Sequence, residues 1–215
     1  MPRALRASLP GLPHHVIARA NGSARVFARP TDFLAFLDLL AEAGGRAPVV
    51  TLGYCLMPNH VHLLLRPAAA DALSRWMQWL LTTHAARRHR ALGTRGHVWQ
   101  GRFKAFPIQD DRHFLTVLRY VERNALRAGL VERAEAWRWS SLAAREGGAP
   151  PSWLEAPSLP RGWRDYVNEA QSAAEVDALR RSVNRGFPFG EPAWAEGQAA
   201  ALGFSARARG RPPRK

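Results

Sequence analysis

Residues 48–66 read Pro-Val-Val-Thr-Leu-Gly-Tyr-Cys-Leu-Met-Pro-Asn-His-Val-His-Leu-Leu-Leu-Arg. Two apolar, strand-like runs, Pro48 to Met57 and His60 to Arg66, flank the turn dipeptide Pro58-Asn59. A link that short cannot hold a crossover, so the two strands must run antiparallel. Successive side chains on a strand point to opposite faces. His60 and His62 therefore share one face, and Val61 enters the opposite layer.

Working outward, His14 to Asn21 is a strand-like run that ends in the Asn21-Gly22 turn signal. Thr31 is placed to cap a helix with Phe33, Leu34, Leu37, Leu40 and Ala41 at helical spacing, closed by Gly44-Gly45. Downstream, Asp71 to Leu92 reads as a long helix ended by Gly93, and Val98 to Ile108 as a fourth strand. Asp110 or Asp111 caps a last helix through Leu126, stopped at Gly129. The order is β-α-β-β-α-β-α, whose first six elements are the ferredoxin-like split βαβ motif. The expected class is α+β, an antiparallel sheet with helices on its faces.

This unit takes residues 1–135. Residues 136–204, broken by Pro150, Pro151, Pro157 and Pro160, read as a small, mostly helical and irregular extension, with helices at Glu175 to Val183 and Ala193 to Leu202. Residues 205–215 carry Arg207, Arg209, Arg211, Arg214 and Lys215 without an acid, and read as a disordered tail.

Composition narrows the function. The 215 residues include 31 Lys and Arg against 17 Asp and Glu, a net charge of +14, which favours a polyanionic partner. The longest apolar runs fall far short of the ~18 residues of a membrane span. No apolar leader core follows the N-terminal arginines, so a cytoplasmic, nucleoid-associated protein is expected. Cys55 is the single cysteine, which excludes a disulfide framework or a multi-cysteine zinc site. No glycine-rich phosphate loop appears, so no nucleotide cofactor is expected. Between Ala72 and Gln109 there is no acid, while Arg75, Arg87, Arg88, Arg90, Arg95, Arg102 and Lys104 interleave with Trp76, Trp79, Trp99, Phe103 and Phe106. That pattern suits single-stranded nucleic acid, with phosphates on the cations and bases on the rings. It equally suits a solvated basic helix face above core aromatics.

Two features carry chemistry. Imidazoles two apart on a strand can bite one divalent ion, or serve as hydrogen-bonded structural residues. Tyr120 and Asn124 are an i, i+4 pair with Arg127 along the same flank. They are either a boundary and a surface residue or the parts of a site. Together the two features compose a plausible centre: a metal on two imidazoles and an amide oxygen, beside a tyrosine nucleophile.

The chain resembles the single-tyrosine HUH transposases, in particular the REP-associated tyrosine transposases. His60-Val61-His62 matches the His-hydrophobe-His motif within Tyr54 to Leu64. Trp99 to Lys104, Tyr120 to Val131, Pro10 to Asn21 with His15 and Arg19, and Arg209-Gly210-Arg211-Pro212 resemble further family stretches. Ala125 departs from the proline that relatives often carry there. The resemblance implies the ferredoxin-like HUH fold, Tyr120 as nucleophile, and His60, His62 and Asn124 as ligands of Mg²⁺ or Mn²⁺. It implies cleavage and rejoining of single-stranded DNA at hairpins through a 5′-phosphotyrosine, by a monomer or a homodimer. Arg19, Arg102, Lys104, Arg123 and Arg127 are candidate DNA contacts, Trp99 and Phe103 candidate base platforms, and Arg209 and Arg211 candidate tail contacts. Two rivals stand beside this: a catalytically silent palindrome-binding regulator, and a metal-dependent hydrolase with a water nucleophile.

Overall fold

A computed structural model describes residues 8–109 and 112–203. Strand β1 (His14–Arg19) precedes helix α1 (Pro30–Ala43), then the hairpin of β2 (Val49–Met57) and β3 (His60–Pro67). Helix α2 (Ala72–Leu92), strand β4 (Lys104–Pro107) and helices α3 (Arg112–Glu122) and α4 (Asn124–Arg127) follow. The sheet order is β2-β3-β1-β4 with every pair antiparallel. Helices α5 (Ser141–Glu146), α6 (Trp163–Asn168), α7 (Ala173–Arg185) and α8 (Pro192–Ala201) complete the chain. The α+β class and the antiparallel sheet agree with the sequence reading. Among the described residues no helix is long and apolar enough to cross a membrane.

Strand alternation splits the core into two layers. Val16, Ala18, Leu56, Val61, Leu63 and Leu65 pack against α1 and α2. Ile17, Cys55, Met57, Leu64 and Phe106 face the other way and pack against Val117, Leu118 and Val121 of α3. Leu142, Trp163, Val167, Leu179 and Val183, all beyond residue 135, share that second layer. Gly53 permits the close approach of α3, since a Cβ there would stand 2.6 Å from Leu118 Cδ1.

Three local expectations change. Thr31 lies inside α1 rather than capping it; Pro30 opens the helix, and the Asp32 carboxylate accepts from the backbone N–H groups of Ala28 (3.0 Å) and Arg29 (2.9 Å). The fourth strand is shorter than Val98 to Ile108. Ile17 opposes Lys104, so a regular ladder would set Ala20 against Gly101, yet Ala20 bridges to Trp99. The surplus residues bulge around Gly101, whose φ of +65° leaves the extended region. The helix expected through Leu126 is interrupted at Arg123, where ψ relaxes to −4°. The proposed caps at residues 110 and 111, and the tail with Arg209 and Arg211, lie outside the described residues.

Candidate active site

The two central strands set the floor of the site. Ile17 opposes His62 and Arg19 opposes His60, so His15, Arg19, His60 and His62 all point toward the α3 layer. Above them α3 delivers Tyr120, which is 5% exposed. Its ring centroid is 6.1 Å from those of His15 and His62, while His60 and His62 stand 4.9 Å apart. One turn on, buried Asn124 sits beside it. Arg127 joins the two: its guanidinium carbon lies 4.0 Å from the centre of the Tyr120 ring, and its Nη2 donates to Asn124 Oδ1 at 3.0 Å.

The hydrogen bonds of the two motif histidines fix which nitrogen each can present. His60 Nδ1–H donates to Asn59 Oδ1 at 2.7 Å, which leaves Nε2 with its lone pair. His62 Nδ1 lies 2.8 Å from Nε2 of His15, a fully buried residue of β1. Presenting a lone pair at His62 Nε2 requires that His62 Nδ1–H donate to His15. Burial, assisted by Arg19 and Arg127, lowers His60 to about 4. Burial and the neighbouring histidines push His62 well below the ordinary value, and burial with Arg127 and His60 lowers His15 to about 3. All three imidazoles are neutral at physiological pH, the form that binds metal.

The donors fit a divalent ion with a restriction. Among the described residues no three His, Cys, Asp or Glu are placed to hold one ion. A third donor to such an ion would have to be the Asn124 amide, whose Oδ1 keeps a second lone pair and whose Nδ2 is buried without a partner among the described residues. Two neutral imidazoles and an amide carry no charge to attract a hard cation, so such a set binds weakly until an anionic oxygen joins it.

These residues line a cleft of about 350 Å³ with Arg19, Met57, Arg127, Ala128, Arg180, Val183 and Asn184. No carboxylate is among those lining residues. A second cavity of about 220 Å³, walled by Ser23, Asn59 and Gln100, shares Arg19 and His60 with the first, so a groove passes over the imidazoles. Arg180 and Asn184, from α7, were missed by sequence reasoning; their i, i+4 spacing was the only available signal. His15 was noted in the first strand without a role.

The other expected contacts divide. Arg19 and Arg127 stand in the cleft wall. Arg102, on the approach to β4, and Lys104, its first residue, are exposed. Arg123 is not in the wall: its guanidinium donates to the carbonyls of Val167 (3.0 Å) and Asn168, closing the C-terminal end of α6. Trp99 and Phe103 are 8% and 7% exposed and belong to the α1–α2 layer, where Trp99 meets Phe27, Phe36 and His84. The base-platform expectation is thus corrected to core packing. The basic helix α2 lies on the layer opposite the cleft, and several of its cations are engaged: Arg87 forks onto Glu42 at 2.8 Å, and Arg88 donates to the Val26 carbonyl at 2.9 Å.

Comparison with known proteins bears on the family and the fold. The family model described as IS200-like transposase matches residues 9–124, more than half of the chain. A Haemophilus influenzae protein described as a REP-associated tyrosine transposase is 28% identical over 123 residues, covering 52% of this chain and 70% of that one. The solved structure of a REP-associated tyrosine transposase bound to a REP hairpin shares the fold, with a TM-score of 0.56 at 15% identity, over 80% of this chain and 100% of that chain.

Proposed function

Because the chain belongs to the IS200-like transposase family, we propose that it cleaves and rejoins single-stranded DNA at hairpin sequences through a 5′-phosphotyrosine intermediate. The observation that carries this reading is the convergence of Tyr120, His60, His62 and Asn124 in one cleft walled by Arg19, Arg127 and Arg180. A hairpin target is supported by the REP hairpin bound in the structural neighbour.

In this mechanism Arg19 and Arg127 draw the phosphodiester over the imidazoles, where guanidinium forks match phosphate oxygens. Mg²⁺ or Mn²⁺ held by His60, His62 and Asn124 would supply Lewis-acid polarisation of the scissile phosphate. Tyr120 Oη forms the bond to phosphorus, and the bond to the 3′-oxygen breaks. The phenol proton passes to solvent, since no carboxylate lines the cleft. The leaving 3′-oxygen takes a proton from solvent to give a 3′-OH, the 5′-phosphate stays on Tyr120, and attack by a 3′-OH reverses the step. One phosphodiester is exchanged for one phosphotyrosine, so no nucleotide hydrolysis is needed. Arg127 keeps the Tyr120 ring and the Asn124 amide in register throughout.

The test incubates the protein with labelled single-stranded DNA carrying the palindromes that flank its own gene, with Mg²⁺ or Mn²⁺. A metal-dependent covalent adduct that Tyr120→Phe abolishes is expected. Tight binding without cleavage would indicate the silent regulator instead, and cleavage surviving Tyr120→Phe would indicate the hydrolase.

A further inference from the structure

Helix α7 presents two sides to the molecule. Leu179 and Val183 are buried in the α3 layer and fix its position. Ser172 and Glu175 cap its start reciprocally, and Gly186 ends it at φ +71°. Arg180 and Asn184, one turn apart and both exposed, stand in the wall of the cleft that holds Tyr120 and Asn124.

Their surroundings want an anion. Arg19 from β1, Arg127 from α4 and Arg180 from α7 line a single cleft with no carboxylate among its described lining residues. Arg127 is engaged by Asn124 and the Tyr120 ring. Among the described residues Arg180 has only a loose ion pair, 3.7 Å, with exposed Asp177 one turn back on its own helix. That contact is worth little in water. Elsewhere the fold spends arginines on close partners, as Arg87 on Glu42 and Arg123 on the end of α6. Three guanidiniums gathered with only that loose, exposed pair among the described residues repel one another, and a phosphodiester chain relieves that repulsion.

We propose that Arg180 and Asn184 form a binding site for single-stranded DNA, in which Arg180 grips a backbone phosphate next to the one Tyr120 attacks and Asn184 bonds the adjoining sugar or base. This rests on the transposase reading and deepens it. The extension beyond residue 135 thereby supplies part of the strand path. The guanidinium fork suits a phosphate, and an amide, both donor and acceptor, suits a sugar or base edge.

Binding by the full chain is measured with a DNA hairpin bearing a single-stranded extension and with the same hairpin blunt. Arg180→Ala is expected to weaken binding of the extended hairpin about tenfold, with a salt slope shallower by ~0.7, and to leave the blunt hairpin unchanged. Arg180→Lys should retain part of the affinity, and Asn184→Ala should show a smaller loss confined to the extended DNA. A methylphosphonate scan of the extension should find one position whose neutralisation costs the wild type but not Arg180→Ala. Equal losses on both DNAs, no loss, or no such position would overturn the site. If wild type forms the Tyr120 adduct while Arg180→Ala binds normally, the strand site fails and the transposase reading stands. If no adduct forms but the Arg180-dependent preference for extended DNA is present, the strand site stands and the cleavage chemistry fails.

Discussion

Nε2 of His15 lies 2.8 Å from Nδ1 of His62, although 47 residues separate them in the chain. The contact is buried between the sheet and α3, and His15 Nδ1 has no partner. An unpaired buried polar group costs about 1–3 kcal/mol, a cost consistent with a role in orienting His62, the proposed metal ligand. His15→Leu is therefore expected to weaken Mn²⁺ binding about 10–100-fold, with His15→Gln less affected because its amide can still accept. Titration of Mn²⁺ by electron paramagnetic resonance, with and without DNA, checks this. Equal affinities in His15→Leu and wild type would dismiss the role.

Metal binding should depend on DNA. The donor set of two imidazoles and one amide is uncharged, so Mn²⁺ should bind the protein–DNA complex markedly more tightly than the protein alone, and more tightly than Mg²⁺. Calorimetry with Tyr120→Phe, expected to bind DNA without cutting it, reads the difference. Identical affinity with and without DNA would contradict the assignment.

Acid should unfold the protein early. Burial lowers His14 and His84 to about 4 from 6.5, so the unfolded chain takes up protons at a pH where the fold does not. Stability is fully present above pH 6.5 and falls as the pH drops toward 4, by up to ~1.4 kcal/mol per pH unit for each group. Burial keeps His14 neutral: Nε2 accepts from Leu9 N–H, which needs the neutral ring, and this outweighs the Leu12 carbonyl, which takes Nδ1–H and favours the charged form. His84 sits among Phe27, Phe36 and Trp99. Urea melts at pH 7.5 and 5 should differ clearly, and His84→Leu should narrow the gap. A flat profile would refute the linkage.

Glu122, two residues after Tyr120, is fully buried. It accepts from Ser141 Oγ at 2.6 Å and Trp163 Nε1 at 2.7 Å, and it pairs with Arg145. It thus ties α5 and α6 to the helix that carries the tyrosine. Glu122→Ala strands the Arg145 charge and should cost about 3–5 kcal/mol, measurable by urea denaturation. A loss below ~1 kcal/mol would show that the tie is not structural.

Much of this architecture was legible in the sequence because its signals are local. The Pro58-Asn59 turn, the alternation of His60, Val61 and His62, and the helical stripe of Phe114, Val117, Leu118 and Val121 each lie within a few residues. What was not legible depends on distant partners. The meeting of His15 and His62 is set by the β1–β3 register. Helices α5 and α6 are six residues each, too short to stand alone, and are held by Glu122. Trp99 misled because aromatics interleaved with cations look alike whether they stack on bases or fill a core. Arg123 misled because a helix end 44 and 45 residues onward, at Val167 and Asn168, uses its charge.

The central claim is that Tyr120 is the nucleophile. Its most direct test is mass spectrometry of the covalent protein–DNA complex after nuclease and protease digestion. The account predicts a nucleotide joined through its 5′-phosphate to the peptide containing Tyr120, with a free 3′-OH on the released strand. An adduct on another residue, or strand cleavage with no adduct at all, would contradict it.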